Sequence, residues 1–121
     1  MLIRNILEES VRKFDEVKAV KWLNKKEIME RSYGELMENV VSTRKGLLAE
    51  GFEGKHIALI GTSSVEWMES YLGIITGCTT AVPLDAALPC EDLIDLLNRS
   101  DSVALFLSPK LKPYLDAFLE N

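Results

Sequence analysis

A chain of 121 residues with 47% hydrophobic and 27% charged side chains is the size of one domain. It can bury a core without disulfides. Nineteen acidic against fourteen basic residues leave a formal charge of −5, and the Lys and Arg form no basic stripe, which argues against nucleic-acid binding through phosphate neutralisation.

The start of the chain is interrupted at once by Glu8 and Glu9, so it does not read as a signal peptide. No apolar run approaches the ~20 residues that cross a bilayer. Cys78 and Cys90 form no C-x-x-C pair and have no histidine cluster beside them. They are expected as reduced thiols of a cytoplasmic protein.

From Leu2 to Phe14 the spacing of Leu2, Ile6 and Val11, with Ile3 and Leu7, predicts a helix with an apolar stripe. Val17 to Leu23 and Ile28 to Tyr33 read as strands, joined by the polar turn Asn24-Lys25-Lys26-Glu27 into a hairpin. Ser32-Tyr33-Gly34-Glu35 has the capping-box pattern that opens a helix. That helix carries Leu36, Val40 and Leu47 on one face and should stop near Gly51.

Strand and helix then alternate. Ile57 to Ile60 is a continuous apolar run, and Ser63-Ser64-Val65-Glu66 reads as a second capping box. The helix it opens places Trp67, Tyr71 and Ile74 on one face and ends at Gly77. Thr79 to Val82 reads as a strand stopped by Pro83. Pro89, Glu91 and Asp92 suit the first turn of a helix whose inner face is Leu93, Leu96 and Leu97. Val103 to Leu107 is the third apolar strand, and Ser108-Pro109 opens a last helix with Leu111, Leu115 and Phe118. Apolar strands separated by amphipathic helices imply a parallel sheet with helices on its faces. The fold class is therefore α/β: a partial doubly wound parallel sheet with flanking helices and an N-terminal β-hairpin. Residues 1–121 form a single segment, and a sheet this small reads as part of a larger one.

In an open α/β sheet a ligand sits beyond the carboxyl ends of the strands. The turn after the first parallel strand, Gly61-Thr62-Ser63-Ser64, is the best such place. Thr62, Ser63 and Ser64 are the cleft-facing candidates. They either cap the next helix or help its N-terminus hold an anion, a role that Glu66 opposes. There is no G-x-G-x-x-G and no G-x-x-x-x-G-K-[ST]. His56 is the single histidine. Without a G-x-S-x-G turn it has no nucleophile to serve and reads as a polar residue at a strand edge. One histidine without clustered thiols makes a metal site unexpected. Trp67 and Tyr71 belong either to the core or to the wall of a ligand cleft. Asp85 either organises its own turn or serves as a carboxylate at a strand end. No catalytic residue is assigned.

Several segments in order resemble the AMP-forming adenylating enzymes. Ser32-Tyr33-Gly34-Glu35-Leu36 is similar to their "(T/S)Y-x-E-L" helix start. Gly46-Leu47-Leu48 through Gly51, Gly54-Lys55 and Ile57-Ala58-Leu59 resemble the stretch that follows. Glu66-Trp67, Tyr71-Leu72-Gly73 and Gly77 resemble "N-x-x-E-W-x-x-x-Y-L-G-x-x-x-x-G", and Val82-Pro83-Leu84-Asp85 and Leu88-Pro89 the segments beyond it. The likeness spans residues 15–109 and is nearest to long-chain fatty-acyl-CoA synthetases. Ser63 or Ser64 stands where the family usually has Asn, and Cys78-Thr79-Thr80 where it has small apolar residues.

The resemblance implies a truncated N-terminal subdomain of an acyl-CoA synthetase-like fold. It implies ATP, Mg and CoA as cofactors of the full-length enzyme, none of them held by this chain alone. It implies the rest of the parent polypeptide as partner and a fatty acid as substrate. The family's phosphate loop, adenine motif, ribose-binding Asp and mobile catalytic Lys have no counterpart here, so the isolated chain is expected to be inactive. Two other readings stand beside this one. The first is a complete, non-catalytic α/β interaction module, prone to self-association through an unfinished sheet. The second is a small nucleotide- or flavin-binding α/β protein, which the missing glycine-rich loop disfavours.

Overall fold

Ile57, Ala58, Leu59 and Ile60 are at most 3% exposed, and a strand buried on both faces belongs in the middle of a covered sheet. The computed structural model, which describes residues 3–62 and 64–119, places it there. In chain order the elements are α1 (Ile3–Phe14), β1 (Lys18–Asn24), β2 (Glu27–Ser32), α2 (Tyr33–Ala49), β3 (His56–Gly61), α3 (Val65–Thr76), β4 (Thr80–Asp85), α4 (Cys90–Arg99) and β5 (Ser102–Leu107). A 3₁₀ turn over Pro109–Tyr114 and a short α5 (Leu115–Leu119) follow. The strands β4-β3-β5 form one parallel sheet, and β1 and β2 form a separate antiparallel ribbon.

The chain leaves β3 toward β4 on one side and returns past it to β5 on the other. Right-handed crossovers therefore put α3 and α4 on opposite faces of the sheet. On the first face Ile57 packs with Leu47 of α2 and Ile74 of α3, and Ala81, Ala104 and Phe106 close around them. Side chains alternate along a strand, so Ala58 and Ile60 face the other side, where α4 brings the fully buried Leu93.

Local chemistry sets the helix ends. Ser32 Oγ accepts the Glu35 N–H at 3.1 Å, and the Glu35 carboxylate accepts the Ser32 N–H at 3.0 Å, completing the expected capping box. α2 ends in a Schellman motif: Gly51 takes φ +78°, Gly51 N–H donates to Leu48 O, and Phe52 N–H donates to Leu47 O. α2 then crosses α3 closely. A Cβ built on Gly73 would lie 2.5 Å from the Thr43 side chain, and one on Gly77 would lie 2.4 Å from that of Arg44. Glycine at these two positions is what lets the helices touch.

Four expectations are corrected. Tyr33 opens α2 rather than closing the second strand. α3 is capped by Ser64, whose Oγ accepts the Trp67 N–H at 3.1 Å. Trp67 thus takes the third helical position and Glu66 the second, so no box forms with Glu66. Pro83 does not stop its strand. β4 runs through it to Asp85, because an edge strand tolerates a residue without an N–H. The last helix begins as a 3₁₀ turn with Pro113 inside it and no side-chain bond from Ser108. Proline supplies no N–H to an α-helical ladder, and only five α-helical residues follow. The helix expected at the start is present as α1, with Leu7 and Val11 of its stripe half-buried and Ile3 and Ile6 largely exposed. Leu2, Ser63 and Asn121 lie outside the described residues.

Candidate functional site

β5 lies on the far side of β3 from β4, so the direction of winding reverses between β3 and β5. Open α/β sheets bind ligands outside the strand ends at such a reversal. A cleft of about 630 Å³ opens at this point, lined by the end of β3, the start of α3, the end of β5 and two residues of the β1–β2 ribbon. Ligand clefts fall in the range of roughly 300–1,000 Å³.

The floor is closed by backbone. Ser108 N–H donates to Ile60 O at 2.9 Å and carries the β5 pairing past the strand end. Gly61 lies between two walls: a Cβ there would stand 3.2 Å from Trp67 Cδ1 and 3.3 Å from Ser108 Cβ. Trp67 forms the α3 wall and is held by Tyr71, one turn along, with ring centroids 5.2 Å apart and planes within 9°. Leu59, Val65, Phe106 and Leu107 make the interior apolar. Thr62, Ser64, Ser70 and Ser108 put hydroxyl-bearing residues around it, and Glu66 and Lys110 are the charged residues of the lining.

Thr62 and Ser64, candidates from the sequence, both line this cleft; Ser63 lies outside the described residues. Ser64 is already engaged as the α3 cap. Trp67 is cleft wall as well as packing, while Tyr71 supports it from behind. Asp85 organises its own turn by accepting the Ala87 N–H at 2.9 Å. His56 has its Nδ1 2.7 Å from Ser100 O at the opposite end of the strand. Both cysteines are free.

Sequence reasoning missed the outer wall. Trp22 and Leu23 reach the cleft from the ribbon. Trp22 is covered by Arg31, whose guanidinium carbon lies 5.4 Å from the ring centroid. Arg31 Nε in turn lies 3.1 Å from Glu69 Oε2, and Asn39 Nδ2 donates to the same oxygen at 2.7 Å. Burial pushes the Glu69 carboxyl above its ordinary value. The Asn39 hydrogen bond and the Arg31 charge pull it back in part, and Glu66 adds to the rise. One signal for Glu69 was present: it falls one turn after Val65 and one before Gly73, on the buried face of α3.

The donor set does not fit a metal-bound triphosphate. The lining holds one carboxylate, Glu66, and one amine, Lys110. The described residues contain no group of three His, Cys, Asp or Glu side chains placed to hold a cation. The arrangement can shelter an apolar group between two tryptophans beneath a rim of hydroxyls. No step through ATP, Mg or CoA is assigned to these residues.

The sheet, with an apolar cleft at its winding reversal, has the layout of a doubly wound α/β unit. The chain belongs to the AMP-binding enzyme family, whose family model matches residues 7–120. No match is found among curated proteins.

Solved structures share the fold at low identity. The N-terminal domain of FACL13 from Mycobacterium tuberculosis matches with a TM-score of 0.87 and 20% identity over 100% of this chain and 31% of that one. An anthranilate CoA ligase, AuaEII, in complex with anthranoyl-AMP matches at 0.85 and 17%, over 99% of this chain and 23% of that one. A fatty acid AMP ligase from Legionella pneumophila matches at 0.75 and 19%, over 88% of this chain and 19% of that one. The chain thus spans less than a third of each of these structures. No described helix is long and apolar enough to cross a membrane.

Proposed function

We propose that this chain is the N-terminal, cleft-building part of an ATP-dependent, AMP-forming acyl-CoA synthetase acting on fatty acids. The parent reaction joins a carboxylate to AMP with release of pyrophosphate, and the CoA thiol then displaces AMP. The observation that carries this reading is the apolar cleft at the reversal between β3 and β5, in a chain of the AMP-binding family. Its apolar interior suits an acyl chain better than a phosphate. In this proposal the remainder of the parent polypeptide supplies the groups that hold ATP, Mg and CoA, and the 121-residue chain is scaffold without chemistry. Free thiols at Cys78 and Cys90 support a cytoplasmic setting.

ATP–pyrophosphate exchange tests the proposal in two arms. The purified chain should give no exchange with any fatty acid, whereas the parent polypeptide should exchange in the presence of saturated fatty acids. Exchange by the chain alone sinks the scaffold assignment. A parent that exchanges only with amino acids or aromatic acids sinks the fatty-acid assignment.

A second reading, an interaction module, is favoured by one feature: both outer strands of the three-stranded sheet carry unpaired edges. Sedimentation distinguishes it, since a strictly monomeric and cooperatively folding chain removes the reason for it.

A further inference from the structure

The two tryptophans of the cleft are held in different ways. Trp67 stands on α3 and is stacked on its own helix. Trp22 stands on the β1–β2 ribbon, where Leu23 is 75% and Ile28 70% exposed. A two-stranded ribbon has little stability of its own in water, so the place of Trp22 depends on what ties the ribbon down.

The register shows the tie. Val20 pairs with Arg31 and Trp22 with Met29, so Arg31 is the diagonal neighbour of Trp22 on one face of the ribbon. Its guanidinium covers the indole at 5.4 Å, within cation–π range. The same guanidinium reaches the Glu69 carboxylate at 3.1 Å. Glu69 is 5% exposed and is itself anchored to α2 by Asn39. A line of contacts thus runs from the α2–α3 crossing through Glu69 and Arg31 to the outer wall of the cleft.

We propose that Glu69 and Arg31 are a positioning pair that holds Trp22 as the movable wall of the cleft. The proposal rests on the cleft being the working surface, but its readout is independent of any reaction.

The energetics favour positioning over stabilisation. A buried ion pair recovers in Coulomb energy roughly what desolvation costs, so as a unit it adds little stability, although removing one partner leaves the other buried unless, as an acid can, it takes up a proton. Here the Glu69 carboxyl is raised, which means that its charged form is less welcome in the fold than in water. The Arg31 Nε–H also finds no aligned acceptor, so the contact is an ion pair without a straight hydrogen bond. Such a pair specifies where the ribbon sits while adding little to global stability. The groups that face Glu69 are Arg31 from β2, the neutral Asn39 from α2 and Glu66 from its own helix.

The sign of the pH effect follows. An acid with a raised folded value favours the fold when protonated, so acidification through that value does not unfold the chain by way of Glu69. It removes the charge that holds Arg31. Trp22 should therefore loosen at a pH above the ordinary glutamate range, while the helices persist.

The test uses the full chain carrying Trp67→Phe, which leaves Trp22 as the single tryptophan. Acrylamide quenching then reports how well Trp22 is shielded, and far-UV circular dichroism reports the fold. Arg31→Met and Glu69→Gln should each raise the quenching constant about two-fold with unchanged dichroism. Arg31→Lys, which keeps the charge pair but not the flat cover, should lie between. In the background without these changes, quenching should rise on acidification before the dichroism changes, and Arg31→Met should abolish that rise. Equal shielding of Trp22 with and without Arg31→Met overturns the proposal. So does a loss of shielding that always coincides with loss of dichroism, which would make the pair a stabilising contact only. Should Glu69→Gln fail to fold, Arg31→Met and the acid titration decide. None of these readings changes if pyrophosphate exchange goes against the ligase assignment.

Discussion

β3 and the β1–β2 ribbon are both extended, and they are held in opposite ways. Ile57 and Ile60 of β3 are fully buried between helices, whereas Leu23 and Ile28 of the ribbon are 75% and 70% exposed. The sheet is fixed by apolar area, which is non-directional and large. The ribbon is tied to the rest by a few directed contacts, among them the Arg31–Glu69 pair, the Ser32–Glu35 box and the backbone bond from Tyr33 N–H to Val17 O. The cleft joins a rigid floor to a lightly tethered wall. Sites that must admit and release a ligand are drawn from the less stable parts of a fold.

The largest expected break falls in the sheet. Ile60→Ala empties a position with no exposure and should cost about 2–5 kcal/mol in urea unfolding. A loss under 1 kcal/mol would mean that α4 does not seal that face. Next comes the crossing of α2 and α3. Gly73→Ala places a methyl 2.5 Å from the Thr43 side chain, and this overpacking should cost about 1–3 kcal/mol. A neutral result would show that the helices slide apart freely.

At the junction between ribbon and α2, Ser32→Ala removes the cap and should cost about 1 kcal/mol. Its effect should also depend on pH. Ser32's backbone N–H, more than its hydroxyl, holds the Glu35 carboxyl below its ordinary value. An acid lowered in the fold contributes stability above its unfolded value and loses it as pH falls through the folded one. The unaltered chain should therefore lose stability as pH falls through the Glu35 value, and the cost of Ser32→Ala should shrink only slightly there, as a series of urea curves will show; an acid-side loss that persists in Glu35→Gln would detach Glu35 from the cap. The smallest effect belongs to the ribbon surface. Ile28→Ser should change stability by less than about 0.5 kcal/mol. A larger loss would show that Ile28 is covered in solution, and would erase the contrast between sheet and ribbon.

Much of the fold was legible because it is set locally. The run Ile57 to Ile60 is one of three continuous apolar runs separated by amphipathic helices, a pattern that implies a covered parallel sheet. Ser32 and Glu35 stand at the spacing that closes a capping box, and Gly51 stands where α2 needs a left-handed residue. Errors arose where context outweighs propensity. Pro83 was misplaced because an edge strand forgives what a central strand does not. Pro113 was passed over, and the last helix lost its first turns to it. The stripe on α1 was periodic, yet α2 covers it only in part, leaving Leu7 and Val11 half-buried and Ile3 and Ile6 exposed. In the cleft, Thr62, Ser64 and Trp67 were legible from their place after a parallel strand. Trp22, Arg31 and Glu69 were not, since nothing near any one of them in the chain announces the other two.

By itself the sequence determined the alternation of strands and helices and the capping box at Ser32, because each depends on side-chain spacing within one or two turns. It determined the family through motifs in a fixed order. Only the tertiary structure decided that β5 pairs with β3 opposite β4, that the winding reverses beside Gly61, and that a ribbon tryptophan forms the outer wall of the cleft. Those choices depend on contacts between residues far apart in the chain. Burial on two faces, close passage at Gly73 and one desolvated carboxylate select them, and none of these exists before the chain has folded.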